Sequence, residues 1–393
     1  MILTGQQCIN NMNKLVIVTT HCIDTSKNVF TIGGVQTYMR DLYNLAIENN
    51  KEAIIVEMTS IDAIDQRNIE GHNVCLFPYK KRILKSLYQT TFDEIYKEFN
   101  NDGVVFVICT DTLNIKCSAS NVIQIQHGIT FDIPGDMIGG IWSRYRFLQR
   151  INKLIRCNNN VNRLYHTKNT VCVDYNYYNW FRTLSTIYPG YTINVIPNYS
   201  GSCITQDELN RKLSKSEGVI RIIFARRFVE HRGTLLYADA AERLLRKYDK
   251  IELTFAGDGP LLSQVKERFK TWGNVTFITF TAPESIKIHQ KHDIAVVPTI
   301  FSEGTSLSVC EAMASGCIPV STYVGGLSNL ILSGYNGLMV PPTSRDIEVA
   351  IESIINMDSN KRELMIRRAY DTATTAFSRE RWGKQWIEVL EKI

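Results

Sequence analysis

The stretch "DIAVVPTIFSEGTSLSVCEAMASGCIPVST", residues 293–322, places two short apolar runs around a small-residue turn and an Ala-rich helical segment. Both runs lack polar alternation, which is typical of strands buried on both faces, that is, of parallel strands covered by helices. Similar runs recur in both halves of the chain, among them "KLVIVTT", "GVVFVICT", "VIRIIFA" and "IELTFAG". The pattern predicts an α/β fold with two doubly wound domains.

The length and the polar stretches predict where the domains lie. A chain of 393 residues is long enough for two cores of ordinary size. A polar stretch at residues 200–217 predicts a linker, so we expect an N-terminal domain over 1–200 and a C-terminal domain over 201–375. Residues 376–393 carry an apolar stripe, which predicts an amphipathic helix that needs a surface to cover. A cleft between the domains is the expected ligand site.

The composition argues against several classes of protein. With 44% hydrophobic and 21% charged residues, the chain is typical of a globular protein. The net charge of +5 is spread almost evenly over the two halves, which argues against a nucleic-acid partner. The ten cysteines form no C-x-x-C pair, so we expect reduced core thiols. Since neither a membrane span nor a signal peptide is evident, we expect a cytoplasmic protein. We expect its first dozen residues either to form a loose tail or to lie upstream of a start at Met12.

Two glutamates, Glu303 and Glu311, flank the small-residue turn of the opening stretch. Ser308 and Glu311 match a capping box, so Glu311 has an ordinary helix-start role in one interpretation. In the other, the backbone amides that follow Glu303 bind a phosphate at the positive end of the helix. A carboxylate one turn inside that helix would then accept the two hydroxyls of a ribose. The sequence alone leaves both interpretations open.

A second turn, within "FARRFVEHRG" at residues 224–233, collects basic side chains between a predicted strand and a predicted helix. Solvated surface arginines are one interpretation. A diphosphate clamp is the other, because guanidinium donors match phosphate oxygens. The side chains in question are Arg226, Arg227, His231 and Arg232.

Further candidates lie at other turns. Gly257 and Gly259 follow a predicted strand, but they lack the third glycine of a dinucleotide fingerprint. Gly33 and Gly34 open a predicted helix whose N-terminus can face an anion. His127 ends the run "VIQIQH", at the strand end where α/β sheets place reactive groups, although a lone histidine is more often a satisfied core residue.

Taken in order from Gly33 to Pro342, these residues resemble the GT4-type retaining glycosyltransferases of the GT-B fold. Glu303 and Glu311 resemble the E-x7-E motif of that family, and "EAMASGCIPV" is similar to its E-A-M-A-x-G-x-P-V signature. The resemblance implies two Rossmann-like domains that face a cleft, with the C-terminal helix 376–393 returning toward the N-terminal domain.

The resemblance also assigns roles to the candidates. Arg227 and Arg232 would hold the donor diphosphate, Glu311 the ribose and Glu303 the donor sugar, with His127 beside the reacting carbon. The family usually has Lys at position 232, Phe-Gly where Thr305-Ser306 stands and Gly at position 226, where this chain has Arg226. The remaining residues implied in donor binding are Gly33, Gly34, Gly257, Gly259, Gly304, Thr305, Ser306 and Leu307.

The implied reaction moves a hexosyl unit from a nucleotide-diphosphate sugar to a glycan acceptor, with retention and without a metal or other cofactor. We expect a lipid-linked acceptor in the assembly of a bacterial surface polysaccharide of the O-antigen or capsule type. No D-x-D pair is present, and we interpret His289-x-x-His292 as a surface feature. A catalytically silent nucleotide-sugar or glycan-binding scaffold, a nucleotide-sugar epimerase and a phosphorylase are alternatives.

The segment 141–156 carries five basic residues and no acid, with apolar residues at helical spacing, and 79–89 has a similar character. One interpretation is a solvated basic face over a core stripe. The other is a helix that lies on anionic lipid, peripheral to the inner face of the cytoplasmic membrane.

Overall fold

A computed structural model describes residues 12–31, 33–83, 86–110, 115–133, 144–185, 192–214, 218–301 and 303–393. The predicted N-terminal tail, residues 84–85 and residues 141–143 of the basic segment lie outside the described residues. Contacts divide the chain into a first unit, Met1–Ile196 with Gly383–Ile393, and a second unit, Pro197–Trp382.

The first unit contains an eight-stranded sheet and a short hairpin. Its strands are β1 (Lys14–Thr19), β2 (Ile23–Asp24), β3 (Val29–Phe30), β4 (Glu52–Thr59), β5 (Asp65–Ile69), β6 (His72–Pro78), β7 (Val104–Ile108), β8 (Val122–Gln126), β9 (Asn169–Cys172) and β10 (Thr192–Val195). The sheet order is β10-β9-β8-β7-β1-β4-β6-β5, with β2 and β3 forming the hairpin. All neighbours pair in parallel except β5, which runs antiparallel to β6.

Four helices of the first unit are α1 (Gly34–Glu48), α2 (Leu87–Phe99), α3 (Arg146–Tyr165) and α4 (Tyr175–Ser185). Every residue of β7 and β8 is buried, as expected for parallel strands covered on both faces. Helix α2 begins where the Ser86 side chain accepts a hydrogen bond from Gln89 N, an ordinary N-cap.

The second unit contains a six-stranded sheet, parallel throughout. Its strands are β11 (Ile220–Ala225), β12 (Ile251–Ala256), β13 (Val275–Ile278), β14 (Ile294–Val297), β15 (Ile318–Thr322) and β16 (Leu338–Val340), in the order β13-β12-β11-β14-β15-β16. Its helices are α5 (Gln206–Ser214), α6 (Thr234–Lys247), α7 (Leu262–Phe269), α8 (Ser285–His289), α9 (Leu307–Ala314), α10 (Ser344–Ile355) and α11 (Ser359–Ala376). The last helix, α12 (Arg379–Leu390), includes residues of both units.

The predicted linker at 200–217 contains the helix α5, so this part of the prediction is wrong. Thr205 and Glu208 exchange hydrogen bonds at its start in the manner of a capping box. Leu209 is fully buried in the core of the second unit. Ile204 is buried in the same core, and Lys212 Nζ donates to the carbonyls of His292 and Ser315, so several contacts fix this helix.

None of the nine cysteines that the structure describes forms a disulfide, and six of them are buried. Cys203 is exposed because it lies in the segment just before α5, and it contradicts the expectation of core thiols. Within the described ranges, no helix is both long enough and apolar enough to cross a membrane.

Candidate active site

The candidate site lies at the carboxyl ends of two adjacent strands of the second unit. Strands β11 and β14 pair in parallel, so the segments that follow them leave the sheet at the same edge. The segment after β11 begins with Arg226, and the segment after β14 contains Glu303 and leads into α9. This edge is where ligands bind in open α/β sheets.

One carboxylate oxygen collects three donors at this edge. Glu303 Oε2 accepts hydrogen bonds from Arg226 Nη2 and Thr299 Oγ1, each at 2.8 Å, and from Arg232 Nη1. Burial pushes the pKa of Glu303 upward, but the two guanidinium groups hold it down to about 2. Glu303 is therefore a carboxylate at any physiological pH, and Arg226, Thr299, Arg232 and Glu303 form a cluster that we call the Glu303 cluster.

Arg226 is one of the clamp candidates of the sequence, although the resemblance assigns the clamp to Arg227 and Arg232. Thr299 is the cluster residue that the sequence did not predict. The Arg226 side chain is only 6% exposed, whereas that of Arg232 is 29% exposed. Arg226 Nη1 also donates to Thr299 Oγ1 at 2.5 Å. The sequence signal for Arg226 was the run of two arginines at the end of a buried strand.

Arg227 lies outside the Glu303 cluster, with an exposed side chain. Among the residues that the structure describes, no acid forms an ion pair with it. The structure therefore brings Arg232 to Glu303, and it leaves Arg227 as an uncompensated cation on the same turn.

His231 lies on the same turn, next to Arg232. Its ring packs against Phe301 at a centroid distance of 5.6 Å. Burial, and then the neighbouring Arg232 and Arg226, lower the pKa of His231 to about 4. The imidazole is therefore neutral at neutral pH, first because it is half-buried and second because the neighbouring guanidinium groups are cationic.

Glu311 lies on α9, and its partner is a side chain of another helix. Ser285 Oγ, at the start of α8, donates to Glu311 Oε2 at 2.7 Å. Burial raises the pKa of Glu311 to about 7, and the serine hydrogen bond offsets only part of that rise. Helix α9 has Ser306 as its N-cap, with no side-chain capping bond, so the predicted capping box of Ser308 with Glu311 is wrong.

The turn before α9 is held in place by Asn198. Its backbone N–H donates to Thr305 Oγ1 at 2.7 Å, and its side-chain amide donates to the Thr305 carbonyl at 2.5 Å. Ser306 Oγ is buried and has no hydrogen-bond partner within the described chain. Residues Gly304 to Leu307 thus lead into a fixed helix start, as a phosphate-binding turn requires.

Glycines hold the neighbouring loops against the Glu303 cluster. A Cβ on Gly325 would lie 1.9 Å from the Glu303 carbonyl oxygen, and Gly326 N donates to that oxygen at 2.9 Å. A Cβ on Gly257 would lie 2.1 Å from the Arg226 carbonyl oxygen. Gly259 makes a similar close approach to Phe228. These glycines support the backbone of the cluster, and direct donor contact by Gly257 and Gly259 stays a prediction.

The first unit holds the other predicted residues. His127 follows β8, and its ring meets Tyr38 edge to face at a centroid distance of 5.3 Å. Its Nε2 lies 3.7 Å from Cys109 Sγ. Gly33 is the N-cap of α1 and Gly34 its first residue. Their roles toward a donor or acceptor stay predictions.

His289 and His292 are buried, which contradicts their interpretation as a surface feature. The Nδ1 atoms of His289 and His292 lie 2.9 and 2.8 Å from the carbonyls of Ser285 and Ile288, one turn earlier in each case. Their local bonds let both rings fit the core, where burial lowers the pKa of each to about 4. Within the described ranges, no three His, Cys, Asp or Glu side chains are grouped as a metal site.

The chain is similar in sequence and in fold to known glycosyltransferases. A family model described as "Glycosyl transferases group 1" matches residues 205–372. The lipopolysaccharide 1,2-N-acetylglucosaminetransferase of Salmonella typhimurium is 27% identical over 224 residues, or 52% of this chain and 56% of that protein. Sucrose-phosphate synthase from Thermosynechococcus elongatus has a TM-score of 0.69 at 13% identity, over 97% of this chain and 98% of the other. Anabaena HepE in complex with UDP-glucose has a TM-score of 0.67 at 14% identity, over 97% and 100%.

The first curated relatives are matched over less than half of their own length, between 43% and 45%. The likeness to the solved structures establishes the fold. Together with the two doubly wound, parallel-sheet units, it confirms the predicted GT-B fold.

Proposed function

Because residues 205–372 belong to the group 1 glycosyl transferases, we propose that the chain is a retaining glycosyltransferase. It moves a hexosyl unit from a nucleotide-diphosphate sugar to a glycan acceptor. The observation that carries the proposal is the Glu303 cluster beside the start of α9, a cationic edge with two carboxylates of unlike pKa. The Salmonella relative, named as an N-acetylglucosaminetransferase, and HepE, solved with UDP-glucose, support this class of donor and reaction.

The proposed chemistry uses charges that are fixed in the fold. Departure of the nucleoside diphosphate builds negative charge on the β-phosphate. Arg227, Arg232 and the amides from Gly304 to Leu307 stabilise that charge most strongly in the transition state. Since these groups can neutralise the leaving group by themselves, we propose that turnover needs no divalent metal.

The two glutamates then bind the rest of the donor. Glu311 accepts the ribose hydroxyls, and Glu303 accepts hydroxyls of the transferred sugar. His127 lies beside the reacting carbon, and the acceptor hydroxyl attacks from the side of the leaving group. Attack from that side retains the anomeric configuration.

The first test identifies the donor. A thermal-shift screen compares UDP, GDP, dTDP and ADP sugars, and a ligand at about 100 times its Kd adds about 2.7 kcal/mol of stability. NMR of the product then reads the configuration of the new bond, with EDTA present in one arm. A product of inverted configuration contradicts retention, and loss of turnover in EDTA contradicts metal independence. Donor binding without transfer to any acceptor contradicts the proposed transferase activity.

The second test removes the uncompensated cation. Arg227→Ala lowers turnover about 100-fold or more, the scale of losing one preorganised group in such a site. Arg211→Ala is the matched control, because Arg211 is an exposed arginine of the same unit on α5. Equal turnover of the two variants contradicts the role of Arg227.

We further propose that the acceptor is lipid-linked and that α3 rests on an anionic membrane during transfer. Large apolar side chains at its start face solvent: Phe147 is 70% exposed and Leu154 is 69% exposed. The same two turns carry exposed Arg146, Arg150 and Lys153. Each basic residue near an anionic surface contributes about 1 kcal/mol to binding. In the second basic segment, Ile83 is fully exposed as well.

Liposome flotation tests the membrane proposal. The chain floats with vesicles that contain phosphatidylglycerol and not with pure phosphatidylcholine. Replacing Arg150 and Lys153 by Gln lowers the floated fraction, while the same change at Lys266 and Lys270 of the second unit does not. Flotation that is equally weak on both vesicle types contradicts the proposal.

A further inference from the structure

Arg226 is the feature of the site that the proposed function does not use. Its guanidinium is the second cation on Glu303, besides that of Arg232. The inference below rests on the proposed diphosphate site, and it concerns how that site keeps a cation available for its ligand.

The two arginines of the cluster differ in how they are held. Arg226 is 6% exposed and binds both Thr299 Oγ1 and Glu303 Oε2. Arg232 is 29% exposed, and among the described residues its side chain hydrogen-bonds to Glu303 alone. The inner arginine is therefore fixed, whereas the outer one can exchange its partner for a ligand that arrives from solvent.

Glu303 keeps its hydrogen bonds to Arg226 and Thr299 when Arg232 turns to a ligand. The Thr299 hydroxyl accepts from Arg226 and donates to Glu303 Oε2 at 2.8 Å, so these three groups close a small hydrogen-bonded ring. A buried carboxylate that lost its last cation would be strongly destabilised, since an uncompensated buried charge is expensive. Here Arg226 remains as that cation.

The net charge of the cluster also leaves Arg232 available for an anionic ligand. Two guanidinium groups share one carboxylate, so the cluster carries one excess positive charge, and Arg227 adds another on the same turn. Without Arg226, Glu303 and Arg232 would form a neutral pair in which the cation is committed to the acid.

We infer that Arg226 holds the charge of Glu303 and thereby releases Arg232 for the diphosphate of the donor. Arg226 is a positioning residue in this scheme: it acts through Glu303 and does not touch the phosphate. The site would thus exchange one ion pair for another on binding, with little net loss of charge pairing.

The test is a double-mutant cycle with inorganic pyrophosphate, titrated calorimetrically into the full chain, so that the nucleotide base need not be known. Arg226→Met lowers the affinity for pyrophosphate roughly tenfold, since Glu303 then retains Arg232. Glu303→Gln raises the affinity less than threefold in the wild-type background. In the Arg226→Met background it raises the affinity roughly tenfold, because it frees Arg232 again.

The cycle distinguishes the inference from simple charge effects. If Glu303→Gln had the same effect in both backgrounds, the charges would act independently and the inference would be wrong. Arg226→Lys keeps the charge and so retains most of the affinity, and a loss as large as that of Arg226→Met would also overturn the inference. Arg243→Met is the matched control, because Arg243 pairs with the buried Glu348 elsewhere in the same unit.

Separate control measurements test the folding of the variants and the proposed diphosphate site. Circular dichroism verifies each variant, and Arg226→Gln, which also removes the charge, takes the place of Arg226→Met in the cycle if the methionine variant does not fold. Wild-type protein that binds neither pyrophosphate nor any nucleoside diphosphate contradicts the proposed diphosphate site itself. Wild-type binding with no coupling between positions 226 and 303 contradicts this inference alone.

Discussion

Glu303 and Glu311 belong to one short motif, yet their surroundings drive their pKa values apart. The pKa of Glu303 lies at about 2, since two guanidinium groups outweigh its burial. The pKa of Glu311 lies at about 7, because burial acts there against a single serine hydroxyl. Carboxylates separated in this way take different roles in a site. Glu303 supplies a permanent charge, while Glu311 changes its charge near neutral pH in the ligand-free protein.

A pH dependence of donor binding follows for Glu311. The diphosphate of a nucleotide sugar is a diester and does not titrate near neutrality, so Glu311 dominates the profile. As the pH rises through about 7, the carboxyl loses its proton and becomes a double acceptor for the ribose hydroxyls. We expect donor affinity to rise between pH 6 and pH 8, measured by calorimetry. Glu311→Gln lowers the affinity at pH 8 by about tenfold, since hydrogen bonds to a charged group contribute about 1.5–3 kcal/mol.

The same substitution acts on stability with the opposite sign. A carboxyl whose pKa is raised in the folded state makes the protein less stable as the pH rises from the unfolded pKa toward about 7. Glu311→Gln removes this effect, so the ligand-free variant should melt at a higher temperature than wild type at pH 8 but not at pH 4. A flat affinity profile in wild type, or a variant less stable at pH 8, would contradict the assignment.

At the scale of elements, the site depends on how closely two loops approach. The segments after β11 and β12 touch through backbone atoms, and Phe228 N donates to the Asp258 carbonyl at 2.8 Å. Gly257 has a φ of 137° there, in the region that favours glycine. Gly257→Ala would place its Cβ 2.1 Å from the Arg226 carbonyl. We expect a loss of about 2–3 kcal/mol in the free energy of unfolding, together with weaker donor binding.

Gly273→Ala is the matched control for Gly257. Nothing lies within 4 Å of a Cβ at Gly273, which is in the turn before β13, and its φ is not in the left-handed range. Urea unfolding should show a change within about 0.5 kcal/mol for this variant. Equal stability of the two variants would show that the loops can separate without loss.

The elements that the sequence predicted are those whose pattern is local. Buried parallel strands such as β7 and β14 follow from unbroken apolar runs. Strand β5 escaped prediction because four of its five residues, 65–68, are polar and form no apolar run. The capping box failed for a different reason: Ser285, the partner of Glu311, lies 26 residues away in sequence. Local spacing cannot reveal a partner that folding supplies from another helix.

At the scale of the whole molecule, the sequence could place the candidate cations and carboxylates at strand ends but could not pair them. Arg227 and Arg232 were predicted as equals, whereas the structure ties one to Glu303 and leaves the other exposed. Whether Arg226 or Arg227 is buried depends on the face of the sheet toward which the chain directs each side chain as it leaves β11. That direction is fixed only once β11 is paired with β14. The family resemblance predicted more of the fold than the residue patterns alone did.

The chain's last residues complete the core of the first unit, although they are distant in sequence. Gly383–Ile393 group with Met1–Ile196, and Trp386 is fully buried. Trp386 Nε1 donates to Tyr38 Oη at 2.7 Å, and the Tyr38 ring in turn meets His127. The first unit is therefore incomplete without residues Gly383–Ile393.

Trp386→Ala should destabilise the first unit by about 3–5 kcal/mol, the usual result of removing a large buried aromatic side chain. Hydrogen exchange should then show faster exchange in β1 and α1 and unchanged protection in β11 and β14. Trp386→Phe keeps an aromatic ring but loses the hydrogen bond to Tyr38 and part of the indole volume, so we expect a smaller loss of about 2 kcal/mol. Trp382→Phe makes the same change at a buried tryptophan of the second unit and should leave β1 and α1 protected. Faster exchange in β11 and β14 of Trp386→Ala would mean that the C-terminal residues stabilise both units, because the local loss would then have spread beyond the core they complete.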